Sequence, residues 1–244
     1  MIRLGNSEHI TVMKMIKGSL IWLVAFGLAF CAARLEAQTK ETLIFNSFKG
    51  AASLSIPDGD ASGVNDLRTI SSSITSIGSI RVTLDISADF NGDVYGFLSH
   101  GNGFSVLLNR EGRSNGLLSG YGDSGMSVTL SDTGALGDIH RYQTSMTLGP
   151  GQPLTGIWQP DARNVDPGLV FDSSPRSAFL NVFDGKDANG MWTLYLADMQ
   201  TGGNSALNRW SLEITGVPEP RPLELLFVAG LCWIGFAIGR SKTP

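Results

Sequence analysis

The chain has 244 residues, and its 22 acidic side chains outnumber its 18 basic ones, which gives a net charge of −4. The central part, residues 38–216, carries 11 Lys and Arg against 18 Asp and Glu and has a net charge of −7. No nucleic-acid partner is expected, because phosphate binding needs clustered Lys and Arg. Both cysteines, Cys31 and Cys232, lie outside this part, so its stability cannot depend on a disulfide.

The N-terminal segment, residues 1–37, has the three parts of a secretory signal peptide. Basic side chains precede an apolar run over residues 18–33, and Ala37 offers a small residue for cleavage. Met13 or Met15 is an alternative start of translation. We therefore expect export across the inner membrane and loss of this segment from the mature protein.

The central part is predicted to be one domain, since about 180 residues suffice to bury a core. A helical period is almost absent between residues 39 and 216, whereas apolar and polar side chains alternate over residues 80–86. Similar runs cover residues 127–130, 191–196 and 210–214, and Gly, Asn, Asp and Ser separate them. Short alternating strands with such separators predict an antiparallel β-sandwich or barrel.

Two tryptophans, Trp192 and Trp210, fall within the last two predicted strands. Trp192 shares one strand face with Leu194, and Trp210 shares another with Leu212. Large aromatic side chains in this phase anchor cores where two sheets pack together. We expect both tryptophans to be core residues, not ligand-binding ones.

Four blocks of sequence, in this order, resemble the P domain (homo B domain) that follows the catalytic domain of subtilisin-like proprotein convertases. The blocks are residues 56–59, 80–98, 183–194 and 197–214. Two tryptophan motifs carry most of the resemblance: Asn-Gly-Met-Trp-Thr-Leu, ending at Leu194, and Leu-Asn-Arg-Trp-Ser-Leu, ending at Leu212. Val94 takes the place of the family's leucine in an earlier Gly-Asp-Leu motif. The resemblance implies a jelly-roll-like antiparallel β-sandwich of about eight strands, here standing alone.

The acidic residues of the central part are mostly aspartates, which suit hard cations as well as turns. Asp184, Asp187 and Asp198 surround the Asn-Gly turn of the third block in the sequence. Asp93 follows an earlier Asn-Gly pair. Ca²⁺ prefers several carboxylate and carbonyl oxygens, and the P-domain resemblance is compatible with a structural Ca²⁺ ion. The four aspartates are the candidate ligands; the alternative is that they cap turns.

No catalytic activity is expected from the central part. Its histidines are His100 and His140, and no Gly-x-Ser-x-Gly elbow or closely spaced zinc ligands accompany them. Asp138 precedes His140 by two residues, which would place a carboxylate beside the imidazole on one strand face. We interpret both histidines as structural.

The C-terminal end, residues 217–244, combines a proline-rich breaker, an apolar run and a basic tip. The breaker is Val217-Pro218-Glu219-Pro220, the apolar run covers residues 223–239, and the basic residues are Arg240 and Lys242. This order resembles the PEP-CTERM sorting signal, which implies an exosortase-type processing enzyme as a partner and a transient membrane anchor. An ordinary tail anchor is the alternative, although a helix over residues 223–239 would span only about 25 Å of a hydrocarbon core of about 30 Å.

These patterns together predict an exported, non-catalytic β-sandwich with a structural or adhesive role at the cell envelope or in the extracellular matrix. The alternative is a carbohydrate- or protein-binding module, whose partner would be an extracellular polysaccharide or protein. Exposed aromatic side chains would mark such a module, and Trp158 and Tyr121 are the candidates.

Overall fold

The computed structural model describes residues 39–46, 48 and 51–217. These residues form ten β-strands and three short 3₁₀ helices, arranged as a two-sheet sandwich. The predicted all-β sandwich is therefore confirmed, with ten strands in the described part where about eight were expected. The predicted signal peptide and most of the predicted sorting signal lie outside the described residues.

The strands follow the alternating runs of the sequence. They are β1 (Lys40–Phe45), β2 (Leu54–Ile56), β3 (Asp60–Ile70), β4 (Ile77–Ala88), β5 (Val94–His100), β6 (Gly103–Asn109), β7 (Met126–Leu130), β8 (Leu154–Trp158), β9 (Gly190–Asp198) and β10 (Ser205–Gly216). The 3₁₀ helices cover Asn91–Asp93, Ile139–Thr144 and Leu180–Phe183. Within the described residues, no helix is long and apolar enough to cross a membrane.

The strands divide into a six-stranded and a four-stranded sheet. The larger sheet has the order β1-β10-β4-β7-β8, and β2 also pairs with β10; the smaller sheet has the order β3-β9-β5-β6. All pairs are antiparallel except β7 with β8, which run parallel because the chain makes a long excursion between them.

The core lies between the sheets and follows the period of two that the sequence shows. Along β4 and β10, alternate side chains are buried, among them Leu84 and Leu212. Trp192 on β9 and Trp210 on β10 are both fully buried, and they come from opposite sheets. Trp192 also stacks on His100, with ring centroids 4.1 Å apart.

The side of the sandwich between β1 and β3 is closed by a polar contact to the core. The Trp210 indole Nε1 donates a hydrogen bond of 2.6 Å to Asp66 Oδ2, and Arg68 Nε donates to the same oxygen at 2.7 Å. The Arg68 guanidinium lies over the Phe45 ring at 4.9 Å, and that ring packs on Trp210 with centroids 4.6 Å apart. A pair of inward-facing charges is thus built into the strand edge of β3.

Candidate ligand-binding cleft

The fold places the four predicted calcium ligands at two ends of the smaller sheet. Asp187 precedes β9, whereas Asp198 ends it, so that about 26 Å of extended strand separates the start and end of β9. Asp93 lies beside the far end, because Val94 pairs with Asp198. Neighbours in the sequence are therefore distant in space, and the four aspartates do not share one site.

The two aspartates at the start of β9 act as turn residues. The Asp187 carboxylate accepts hydrogen bonds from the backbone N–H and the side-chain amide of Asn189, and these bonds lower its pKa. Burial, together with the nearby Asp132, raises the pKa of Asp184. The described residues contain no group of three or more His, Cys, Asp or Glu side chains arranged to hold a metal ion.

The two aspartates at the end of β9 share their surroundings with a buried arginine. Arg110 Nη2 lies 3.6 Å from Asp93 Oδ1 and donates a 2.7 Å hydrogen bond to Gln200 Oε1. The Asp198 carboxylate accepts bonds from the Ser205 hydroxyl at 2.8 Å and from the Gln200 backbone N–H at 3.2 Å. Both oxygens of Asp198 are thus already used, and a guanidinium stands beside Asp93, so this pair as arranged is a poor calcium cage.

Burial dominates the electrostatics of Asp93. Its loss of hydration, reinforced by the neighbouring charge of Asp198, raises its pKa to about 6 in spite of the opposing charge of Arg110. The Arg110 pKa is lowered, mainly by burial. A carboxyl that titrates near neutrality in a concave site is a common mark of a functional group.

Asp93 opens onto a cleft of about 560 Å³. Its walls combine apolar and aromatic side chains with polar ones, among them Phe90, Tyr121, Gln143 and Gln200. Phe90 is 43% exposed, more than the other large aromatic side chains of the described residues. Aromatic faces beside amide and carboxyl groups are the chemistry with which proteins bind polar organic ligands such as sugars.

Glycines allow the cleft wall to form. Gly112 has φ +79, and a Cβ on it would lie 2.2 Å from the Tyr121 ring. A Cβ on Gly92 would lie 2.5 Å from the Tyr121 backbone nitrogen. Both positions bring the backbone into direct contact with residue 121, so a larger side chain at either would displace the Tyr121 side of the cleft.

A larger groove of about 680 Å³ crosses β2, β4, β7 and β10. Its lining is mostly Ser, Asp and Asn and includes no aromatic side chain. None of its acidic groups, Asp85 and Asp89, is paired with a buried cation as Asp93 is. The smaller cleft is therefore the better candidate for a ligand site.

Both described histidines are held in place by the fold. His140 is fully buried, with Nδ1 2.7 Å from Asp161 Oδ2 and Nε2 3.0 Å from the Arg113 carbonyl. The expected carboxylate beside its ring was Asp138, but Asp138 instead accepts the backbone N–H of His140 and caps a 3₁₀ helix. This correction reflects the helical backbone there, since a strand would have put residues 138 and 140 on one face.

The other candidates divide between the core and the surface. Trp158 is fully buried and donates its indole N–H to the Thr155 carbonyl, so it offers no exposed ring to a ligand. Tyr121 lines the cleft.

Of the sorting residues only Val217 is described: its N–H donates to the Ser76 carbonyl and its side chain is 48% exposed. Pro218, Glu219, Pro220, Arg240 and Lys242 lie outside the described part.

Sequence reasoning missed the basic residues that organise these surroundings. No local pattern marks Arg110 in the sequence, and its constrained backbone, with φ 55, becomes visible only in the fold. Arg163 bonds Asp138 at 2.7 Å and Asp161 at 3.3 Å, and so ties together the connections on both sides of β8. Such partners are distant in sequence, and no local spacing reveals them.

Comparisons with known proteins identify no family for the chain. No model of a known protein family matches it, and no curated protein matches it. Among solved structures, a complex of the Aeromonas sobria serine protease with the chaperone matches at a TM-score of 0.40 and 15% identity, over 80% of this chain and 30% of that chain. The same serine protease without the chaperone matches at a TM-score of 0.43 and 16% identity, over 78% of this chain and 29% of that chain. At these values the matches carry no inference about activity.

Proposed function

We propose that this protein is an exported, non-catalytic β-sandwich with a structural or adhesive role at the cell envelope or in the extracellular matrix. The sandwich corresponds to a P-domain-like module, and the C-terminal end is its sorting signal and transient anchor. The observation that carries the proposal is the order of breaker, apolar run and basic tip directly after the domain. The described fold supports this reading, because β10 ends at Gly216, one residue before the breaker begins.

The exit point of the chain also supports access by a processing enzyme. Val217 makes the last described backbone hydrogen bond, to Ser76, and its side chain is half exposed. The motif therefore starts at the surface of the sandwich. Pro218 and Pro220 follow, and proline cannot donate a backbone hydrogen bond that would extend β10.

The sorting proposal is tested by replacing Pro218, Glu219 and Pro220 with alanine in the native host. We expect a folded protein that keeps its apolar tail, whereas the wild-type protein loses residues beyond the motif. A matched control replaces three exposed residues of the sandwich surface, Ser173, Pro175 and Ser177, with alanine. If mass spectrometry finds residues 223–244 on the mature wild-type protein, the segment is an ordinary tail anchor.

A second candidate function is binding of an extracellular polysaccharide or protein, and the cleft beside Asp93 favours it. Phe90 and Tyr121 supply aromatic surface there, and Gln143 and Gln200 supply amide groups. Phe90→Ala should abolish binding on a glycan array, while Leu169→Ala, at another exposed apolar side chain, should leave binding unchanged. If both variants behave as the wild type, the cleft is not the binding site.

Calcium binding stays a prediction for this chain. Asp93 and Asp198 are the candidate ligands that the fold places side by side. An ion that binds only the native state raises the melting temperature by mass action. Equal melting curves in EDTA and in millimolar Ca²⁺ would leave all four aspartates as turn and core residues.

A further inference from the structure

The buried His140 ring lies between two hydrogen-bond acceptors. Its Nδ1 lies 2.7 Å from Asp161 Oδ2, and its Nε2 lies 3.0 Å from the Arg113 carbonyl oxygen. An ionised carboxylate and a carbonyl can only accept, so both contacts are hydrogen bonds only when each ring nitrogen carries a proton. The neutral ring has a single N–H and turns its other nitrogen, also an acceptor, towards an oxygen. The arrangement therefore fits the charged imidazolium form of the ring.

The charges around His140 match when its ring is protonated. The Arg163 guanidinium donates to Asp138 Oδ2 at 2.7 Å and to Asp161 Oδ1 at 3.3 Å, which leaves Asp161 Oδ2 to the His140 ring. Two carboxylates then face two cations. Glu111 is also fully buried nearby, and burial raises its pKa well above the usual value, which disfavours a third negative charge.

Three further arginines belong to the elements packed around this ring. The Arg113 guanidinium donates to two backbone carbonyls of other segments, and Arg176 Nε lies 3.8 Å from Asp138 Oδ1. Arg141, which follows His140 in the same 3₁₀ helix, is exposed. Burial by itself disfavours a charged ring, so the imidazolium depends on its ion pair and its two hydrogen bonds. A change in the protonation of the ring therefore changes those bonds.

The 3₁₀ helix that carries His140 also supports the wall of the cleft beside Asp93. Gln143 of this helix lines the cleft, as does Tyr121. Tyr142 of the same helix packs its ring on Tyr121, with centroids 4.7 Å apart. The Tyr142 hydroxyl and the Gln143 amide both donate to one carboxylate oxygen on the connection that carries Tyr121. The position of the helix therefore governs two residues of the cleft wall.

We propose that the proton on His140 regulates this cleft, an inference that rests on the candidate binding function of the cleft. With the proton bound, the ring joins the connection after β8, at Asp161, to the connection after β6, at Arg113, and so holds the helix in place. The neutral ring keeps only one bond, and the carboxylate retains it because a charge-assisted bond is the stronger. The bond to the Arg113 carbonyl is then lost, on the connection that carries Tyr121.

The direction of the pH effect follows from the proton that the closed arrangement holds. An exposed histidine loses its proton near about pH 6.5. The stabilisation by His140 is therefore complete below that pH and is lost as the pH rises above it, because an open arrangement binds the proton less tightly than the closed one. Weakly acidic conditions close the cleft wall, and weakly basic conditions loosen it.

Amide hydrogen exchange of the full chain in mild detergent, without any ligand, measures this opening directly. After correction for the intrinsic pH dependence of exchange, opening over residues 119–123 and 139–144 should increase at least about tenfold between about pH 6.5 and pH 8.5, since one proton allows about hundredfold over two pH units. Protection of β4 and β10 should not change over this interval. In His140→Gln, whose side chain does not titrate, the increase should disappear.

Variants of the other titratable groups serve as matched controls. Burial raises the pKa of both Asp93 and Glu111, so Asp93→Asn and Glu111→Gln are compared with the wild type. Both should keep the increase in opening, and so should His100→Gln, at the other described histidine. In the wild type, slow exchange of the ring Cε1 hydrogen reports the titration of His140 itself, and its midpoint should coincide with the opening.

Three results overturn the proposal: wild-type opening that does not change with pH, an increase that persists in His140→Gln, or an increase that disappears in Glu111→Gln or Asp93→Asn. An equal loss of protection in β4 and β10 would show general destabilisation and would overturn it as well. Because these measurements use no ligand, they stand apart from the glycan array. An array without binding would remove the candidate function of the cleft and leave the response of its wall to pH intact.

Discussion

At the residue scale, Trp210 combines a packing role with a polar one. Its ring packs on Phe45, and its indole N–H donates to Asp66 at 2.6 Å. Trp192 packs on Phe183 and His100 and donates to the Ala188 carbonyl. Each tryptophan therefore buries a large apolar surface while its one polar atom is satisfied, which is how buried indoles are usually accommodated.

Truncation of either tryptophan should destabilise the domain strongly. We expect Trp192→Ala and Trp210→Ala each to lower the free energy of unfolding by about 3–5 kcal/mol, because a cavity replaces a fully buried side chain. Trp210→Phe keeps most of the packing and isolates the lost hydrogen bond to Asp66, at about 1–3 kcal/mol. Urea unfolding measures these values. Met191→Ala is the control at an exposed site, and a shift for it as large as for the tryptophans would contradict the core assignment.

Asp93 should make stability depend on pH in an unusual direction. Its pKa is about 6 in the folded domain, above the ordinary value near 4, so the folded state holds a proton that the unfolded state has lost. The contribution of this group to stability therefore falls as pH rises from about 4 to about 6. In Asp93→Asn that dependence disappears, so the stability of the variant relative to the wild type should increase over this pH interval.

Asp187→Asn serves as the control for that experiment, because its pH dependence should have the opposite sign. Hydrogen bonds from Asn189 lower the pKa of Asp187, so its contribution is present above the unfolded pKa and is lost as pH falls. Urea midpoints are measured for both variants and the wild type between pH 3 and pH 7. Relative to the wild type, the midpoint of Asp93→Asn should rise with increasing pH, and the midpoint of Asp187→Asn should fall. Parallel profiles for Asp93→Asn and the wild type would mean that the pKa of Asp93 is the same in the folded and unfolded states.

At the scale of elements, the sequence was most informative where the structure is most periodic. The alternating runs around residues 80–86 and 210–214 lie within β4 and β10, and both predicted tryptophan strands exist. The aspartates were harder to place, because β9 separates residues that the sequence brings together. The cleft could not be predicted either: Phe90, Tyr121 and Gln200 reach it from three separate connections, those between β4 and β5, β6 and β7, and β9 and β10.

The long connections around β8 depend on one buried arginine. Arg163 is almost fully buried and bonds both Asp138 and Asp161, and Asp161 in turn contacts His140. Nearby Glu111 is also fully buried, and burial, followed by the charge of Asp161, raises its pKa well above the usual value. The Arg163 guanidinium thus goes to the two aspartates, whereas burial disfavours the charged form of Glu111.

Removing Arg163 should loosen these connections before it unfolds the sandwich. Arg163→Met leaves Asp161 buried without its cation, and we expect a cost of about 3–5 kcal/mol. Arg209→Met, at a half-exposed arginine 3.7 Å from Asp85, should cost at most about 1 kcal/mol. Hydrogen exchange should accelerate over residues 131–178 in the first variant. Unchanged exchange there would show that the backbone contacts alone hold the connections.

At the scale of the whole molecule, the described strands bring the start and the end of the sandwich together. The first and last strands pair with each other, β1 with β10, over six residue pairs from Lys40 with Thr215 to Phe45 with Trp210. The beginning and end of the domain therefore lie side by side. An anchor that followed β10 would therefore hold the sandwich close to a membrane surface at this paired corner.

We expect residues 38–217 to fold without either end of the chain, because they contain every described strand and no cysteine. Circular dichroism should show a β-rich spectrum with cooperative urea unfolding. The matched fragment 47–217 lacks β1, and with it the Phe45 ring that covers Trp210 and the salt bridge of 2.8 Å between Lys40 and Glu213. Its stability should fall by at least about 3 kcal/mol, the usual cost of removing a packed aromatic side chain. An unfolded 38–217 fragment would contradict the independence of the domain, and equal stability of the two fragments would contradict the role of β1 in closing the sandwich.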